Sequence, residues 1–179
     1  MKILAFAGSN SSASINKKLV THVASFFNEH DIEILDLNDY EMPLFSVDKL
    51  AKDGIPQLTL DFAQKIDSSD FLLISFAENN GAYTTAFKNI FDWVSMIQGR
   101  PVFGNKPMFL LSTSPGPRGG ASVMEIAKNR MPFSGGKVLD TFSLPSYNKN
   151  FVEGEGITNS EYAAEVASKI EKIKAEFLG

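Results

Sequence analysis

The sequence predicts an α/β protein built on one open parallel sheet with helices on both faces. Three observations point there. Short apolar runs of strand length alternate with segments whose apolar residues recur at helical spacing. The run Phe71-Leu72-Leu73-Ile74-Ser75-Phe76 is apolar almost throughout, as the middle strand of a sheet covered on both sides must be. A Gly/Ser/Asn-rich stretch, Gly8-Ser9-Asn10-Ser11-Ser12-Ala13-Ser14-Ile15-Asn16, separates the first strand pattern from the first helix pattern.

Taken in order, Lys2-Ile3-Leu4-Ala5-Phe6-Ala7 has the length and apolarity of a buried strand, and Leu19, Val20, Val23 and Phe26 follow at helical spacing. Asp31-Ile32-Glu33-Ile34-Leu35-Asp36-Leu37 reads as a second strand, residues 38–45 as irregular, and residues 55–66 as a helix. The central strand at 71–76 leads through a turn-rich connection, residues 77–83, into a helix that starts at Thr84. Its apolar side is Phe87, Ile90, Phe91, Val94 and Ile97, and Gly99 and Pro101 end it. Pro107-Met108-Phe109-Leu110-Leu111 is a fourth strand, residues 112–120 a second Gly-rich turn, and residues 121–130 a helix. Val138-Leu139-Asp140-Thr141-Phe142 is the fifth strand. A loop with Pro145, Gly154 and Gly156 then reaches a last helix striped by Val166, Ile170, Ile173 and Phe177 and capped by Asn159 or Ser160. No internal repeat or linker composition interrupts this alternation, so residues 1–179 are expected to form a single domain.

Composition narrows the function. The 179 residues carry a net charge of −4, which supplies no basic stripe for nucleic acid. With no cysteine, disulfides, thiolate metal sites and cysteine nucleophiles are excluded, and the two histidines, His22 and His30, lie in or near the first helix, away from carboxylate clusters; no metal is expected. No apolar run approaches the roughly 20 residues needed to span a bilayer, and no targeting segment precedes the first strand, so a cytoplasmic location without membrane insertion is expected.

In an open sheet of order 2-1-3-4-5, strands one, three and four are neighbours, and ligands bind beyond their carboxyl ends. The loops there are residues 8–16, 77–85 and 112–120. The first offers the hydroxyls of Ser9, Ser11, Ser12 and Ser14 and the amide of Asn16, at the positive end of a helix. That mix suits a phosphate held by neutral donors, although Gly/Ser/Asn clusters also make ordinary turns and caps. A dinucleotide fingerprint fails because only Gly8 of its three glycines is present. Walker A fails for want of Gly-Lys-Ser/Thr, and a Gly-x-Ser-x-Gly elbow is absent.

With the second and third loops in view, nearly the whole chain resembles the NAD(P)H-dependent FMN reductase family, whose members include quinone, chromate and azo reductases. The family's Gly-Ser-x-Arg followed by Ser and Asn appears as Gly8-Ser9-Asn10-Ser11 with Ser14 and Asn16. Its Pro-Glu-Tyr-Asn-Gly appears as Ala77-Glu78-Asn79-Asn80-Gly81, followed by Phe87-Lys88-Asn89 and Asp92-Trp93. A Ser-Pro-Gly with a following Arg-Gly appears as Ser114-Pro115-Gly116 and Arg118-Gly119.

The resemblance implies a flavodoxin-like three-layer fold and bound FMN. Ser9, Ser11, Ser14, Ile15 and Asn16 would hold the phosphate, Ala77, Glu78, Asn79, Asn80 and Gly81 would border the flavin ring, and Ser112, Thr113, Ser114 and Gly116 would close its other side. It further implies hydride transfer from NADPH or NADH through FMN to a quinone, free flavin or other small-molecule electron acceptor, with no protein acid–base pair. Residues 41–45 resemble a family loop that contributes to dimer contacts, which implies a homodimer or homotetramer. A flavodoxin-like electron carrier and a non-catalytic flavin-binding module are the alternatives. Two departures stand out: Ser11 replaces the family arginine, and Asn79 the tyrosine.

Overall fold

The computed structural model describes residues 1–178. In chain order the elements are β1 (Lys2–Gly8), α1 (Ile15–Ala24), β2 (Asp31–Leu35), α2 (Val47–Asp53), α3 (Gln57–Asp67), β3 (Phe71–Phe76), β4 (Glu78–Asn79), β5 (Ala82–Tyr83) and α4 (Thr85–Val94). Then follow β6 (Lys106–Thr113), α5 (Ala121–Arg130), β7 (Gly136–Leu144), α6 (Tyr147–Asn150), β8 (Phe151–Val152), β9 (Gly156–Ile157) and α7 (Ser160–Ile173). The main sheet has the order β2-β1-β3-β6-β7 and is parallel at every pairing. This is the expected flavodoxin-like arrangement.

Alternation along the strands divides the core in two, because successive side chains point to opposite faces. Leu4, Phe6, Leu72, Ile74, Met108 and Leu110 face α3, α4 and α5, whereas Ile3, Ala5, Phe71, Leu73, Phe109 and Leu111 face α1 and α7. The starts of α1, α4 and α7 are fixed by side-chain caps. The Ser14 hydroxyl accepts from the Lys17 amide at 3.1 Å, Thr84 accepts from Phe87 at 3.2 Å, and Asn159, of the two expected caps, accepts from Glu161 and Tyr162.

Several elements differ from the sequence expectation. β2 stops at Leu35 because the Asp36 carboxylate accepts from the Asn38 amide at 2.9 Å and starts a 3-10 turn over Leu37–Tyr40. α2 lies between the stretch expected to be irregular (38–45) and the helix expected at 55–66, where no element was expected; it is capped by Ser46, ended by Gly54 at φ +76°, and has no buried residue. Ser112 and Thr113 belong to the end of β6 rather than to the turn that follows. Residues 77–83, expected as a plain turn, form the β4–β5 hairpin around Asn80 and Gly81, both at positive φ (52° and 78°). That is the Asn-Gly type I′ signature, which matches the natural twist of a two-residue hairpin.

The loop before α7 contains α6 and a second small hairpin, β8–β9, seated on α1. His22 of α1 packs edge-on against Phe151 (centroids 5.6 Å apart), and a Cβ added at Gly156 would lie 2.0 Å from the His22 ring. Gly156 also sits at φ +89°, so both the close approach and the backbone demand glycine. Gly156→Ala is expected to lift this hairpin from α1 and cost about 1–3 kcal/mol. A thermal midpoint equal to wild type would contradict this packing.

Candidate functional site

Beyond the carboxyl ends of β1, β3 and β6 the three loops meet around a cavity of about 210 Å3. Of the residues expected at the site, Ser9, Ser11, Ser14, Ile15, Asn16, Ala77, Glu78, Asn79, Thr113 and Ser114 line it, together with Ala13 and Pro115. No lysine or arginine is among the lining residues. The two lysines that follow Asn16 in α1 are engaged elsewhere: Lys17 pairs with Asp36, and Lys18 pairs with Glu153 at 2.6 Å.

The first loop is folded on its own hydroxyls. Ser9 accepts from the Ser11 amide at 3.2 Å, Ser11 from Ala13 at 3.3 Å, and Ser14 from Lys17 at 3.1 Å. A hydroxyl that accepts from the backbone keeps its own proton free to donate. Among the described residues none of the three donates, and the first-turn amides of Ile15 and Asn16 also find no partner there. Donors without acceptors at a helix N-terminus are what an anion needs. The donor set therefore fits a phosphate group held by neutral hydrogen bonds.

Asn16 does something the sequence does not announce. Its side chain is buried, donates to the Thr113 carbonyl at 3.1 Å, and accepts from the Thr113 amide at 3.0 Å and the Ser75 hydroxyl at 2.8 Å. The side-chain oxygen and one proton of the amide expected to meet phosphate are thus spent on joining α1 to β3 and β6, which leaves the second Nδ2 proton and the Asn16 backbone N–H for a ligand. Ser75, the single polar residue in an apolar strand, was the available signal for this network.

Two further side chains join the loops. The Thr84 hydroxyl donates to the Gly8 carbonyl at 2.9 Å, tying the second loop to the first. The Glu78 carboxylate accepts from the Val123 amide at 2.9 Å, tying the second loop to the start of α5 behind the third. Beneath the hairpin, Phe76, Tyr83 and Phe87 pack with centroids 5.0–5.4 Å apart. Burial raises the pKa of Tyr83, whose hydroxyl has no partner among the described residues.

Other expected residues lie off the cavity lining. Asn80 and Gly81 form the hairpin turn, and Gly116 follows Pro115, its carbonyl accepting from the Ser146 amide at 2.8 Å. Ser112 is buried beneath the third loop, with its hydroxyl on the Gly119 carbonyl and against Ser143, both at 2.8 Å, so it supports that loop from below. Trp93 is 1% exposed and donates to the Pro43 carbonyl at 2.7 Å, which leaves it unavailable for stacking on a ligand. Asn89 accepts from the Phe45 amide at 2.8 Å and donates to Met42, so the Asn89/Trp93 motif clamps the segment after β2. Arg118 donates to the Ser122 hydroxyl in the first turn of α5 at 3.0 Å.

A family model described as NADPH-dependent FMN reductase matches residues 1–173. A 2-hydroxy-1,4-benzoquinone reductase from a Burkholderia species is 33% identical over 122 residues, 68% of this chain and 64% of the relative. An FMN-dependent NADPH-azoreductase from Staphylococcus haemolyticus is 30% identical over 109 residues, 57% of each chain. The matches thus span less than two thirds of the length of these curated relatives. In fold, the chain is similar to FerB, a flavoenzyme NAD(P)H:(acceptor) oxidoreductase from Paracoccus denitrificans, with a TM-score of 0.74, 24% identity and 97% of both chains covered.

Removing the Asn16 side chain would strand the Thr113 amide and carbonyl and the Ser75 hydroxyl in a buried setting. Asn16→Ala is expected to cost about 2–4 kcal/mol in chemical unfolding, more than the median for a point substitution. A loss below about 1 kcal/mol would show that the network contributes little.

Proposed function

Because the chain belongs to the NADPH-dependent FMN reductase family, we propose that it binds FMN where the three loops meet and acts as a reductase using NADPH or NADH. One observation carries this reading: donors without acceptors, at a helix N-terminus, converge with two loops that leave a slot beside them. When bound, FMN supplies the hydride-accepting and hydride-donating chemistry that the protein's own side chains lack. The hydroxyls of Ser9, Ser11 and Ser14 and the amides of Ile15 and Asn16 hold its phosphate. Ala77, Glu78 and Asn79, with the Asn80-Gly81 turn, border one side of the ring, and Thr113, Ser114 and Gly116 border the other, with Ser112 supporting them. The matched benzoquinone and azo reductases support a small, conjugated electron acceptor, with a quinone as the first choice.

Around that site we read the chain as one flavin-binding domain. The segment after β2 exposes Leu44 (63%) and Val47 (73%) beside the Trp93 clamp, and this apolar surface suits pairing of two copies, as a dimer or a dimer of dimers. No helix among the described residues is long and apolar enough to cross a membrane, which is compatible with work in the cytoplasm.

FMN-loaded protein mixed anaerobically with NADPH or NADH should lose its oxidised-flavin absorption rapidly. Persistence of the yellow colour with both nucleotides would overturn the reductase reading. Independently, Ser11→Arg should tighten FMN binding by about fivefold, since a charged donor to phosphate gains about 1 kcal/mol over a neutral one. Unchanged affinity would move the phosphate away from Ser11.

A further inference from the structure

The third loop is fastened firmly to the end of β7. Its Gly116 carbonyl accepts from Ser146 at 2.8 Å, its Ser114 carbonyl from Tyr147 at 3.0 Å, and a Cβ at Gly119 would lie 2.9 Å from the Leu144 backbone. The second loop is tied to the first by Thr84 and packed on Phe76 and Phe87 through Tyr83, but it is joined more sparsely to the third. The β4–β5 hairpin holds itself by two residue pairs, and among the described residues one hydrogen bond joins it to the third-loop side, from the Val123 amide to the Glu78 carboxylate.

That bond ends on an unusual helix start. The N-cap of α5 is Gly120 at φ +80°, which has no side chain to accept from the first-turn amides, and the first turn carries no acidic residue. Val123 is the third residue of α5, the position whose amide a capping side chain normally satisfies. Glu78 takes over this role from 45 residues away. Its negative charge at the positive end of α5 adds to the attraction.

We propose that Glu78 is a positioning residue: by capping α5 from the hairpin it sets the width of the slot between the second and third loops, and so the affinity for the flavin ring. The inference rests on the flavin reading of this site, but the tie itself is a hydrogen bond within the chain. A cap that served α5 alone could sit on α5. One placed on the opposite loop fixes the distance between two walls.

The test uses the full chain as wild type, Glu78→Ala, Glu78→Gln, and Glu78→Ala combined with Ser122→Asp, which puts an acid in the first turn of α5 itself. Amide exchange is followed in flavin-free protein at Val123 and at Ala82 and Tyr83, FMN affinity by quenching of flavin fluorescence, and stability by thermal midpoint. Glu78→Ala should speed exchange at Val123 and in the hairpin and weaken FMN binding by about five- to tenfold, the loss of one cap bond. Glu78→Gln keeps a carbonyl acceptor and should recover most of both. Adding Ser122→Asp should recover the thermal midpoint while hairpin exchange and FMN affinity stay impaired.

Unchanged hairpin exchange in Glu78→Ala, or FMN affinity recovered by Ser122→Asp, would overturn the proposal and leave Glu78 as a helix cap only. If Glu78→Ala does not fold, Glu78→Met keeps the volume without the acceptor and is read the same way. A wild-type chain that takes up no FMN overturns the flavin reading, while the exchange data still decide whether Glu78 ties the two walls.

Discussion

The buried Asn16 side chain is the constraint on which the site depends. Three strands end at one rim of the sheet, and the ends of parallel strands are where ladder hydrogen bonds run out. Asn16 extends the pairing beyond that point: its amide meets both backbone groups of Thr113, as a neighbouring peptide would, and holds the Ser75 hydroxyl as well. Since a buried amide left unpaired is costly, this arrangement fixes α1 against β3 and β6 with little freedom. The phosphate loop precedes α1 directly, so its position follows.

The remaining loop-to-loop bonds complete a closed circuit. Asn16 joins the first loop to the third, Thr84 joins the second to the first, and Glu78 joins the second to the start of α5. Each pair of walls is linked by at least one side-chain hydrogen bond, and the aromatic packing of Phe76, Tyr83 and Phe87 fills the space beneath. A pocket so tied loses little conformational freedom on binding, which favours affinity without added contacts. Charge is managed in the same spirit: Lys17 and Lys18 are paired outside the cavity, leaving neutral donors to meet an anion.

Much of this was legible along the chain. The strand and helix order was readable because burial on both faces imposes apolar runs on β1, β3 and β6, and one-sided burial imposes a stripe on α4 and α7. The three loops were readable because their residues are short, polar and Gly-rich between such runs. Asn80-Gly81 carried a hairpin signal that a plain turn reading passes over. Less legible were α2, which has no buried face to leave a pattern, and β8–β9, whose two-residue strands are too short for any period.

What the sequence determined by itself is therefore the parallel sheet and the identity of the three loops, since these follow from local pattern and from the few ways parallel strands connect, while the strand order came with the family resemblance. Only the tertiary structure decided the division of labour among the loop residues. Ser9, Ser11 and Ser14 keep free protons for a ligand, whereas Asn16 and Ser112, of the same polar character, are consumed in holding β6 to its neighbours. The physical reason is that a hydrogen bond spanning 97 residues, as between Asn16 and Thr113, leaves no trace in local spacing. Its donor and acceptor meet only after the sheet has formed.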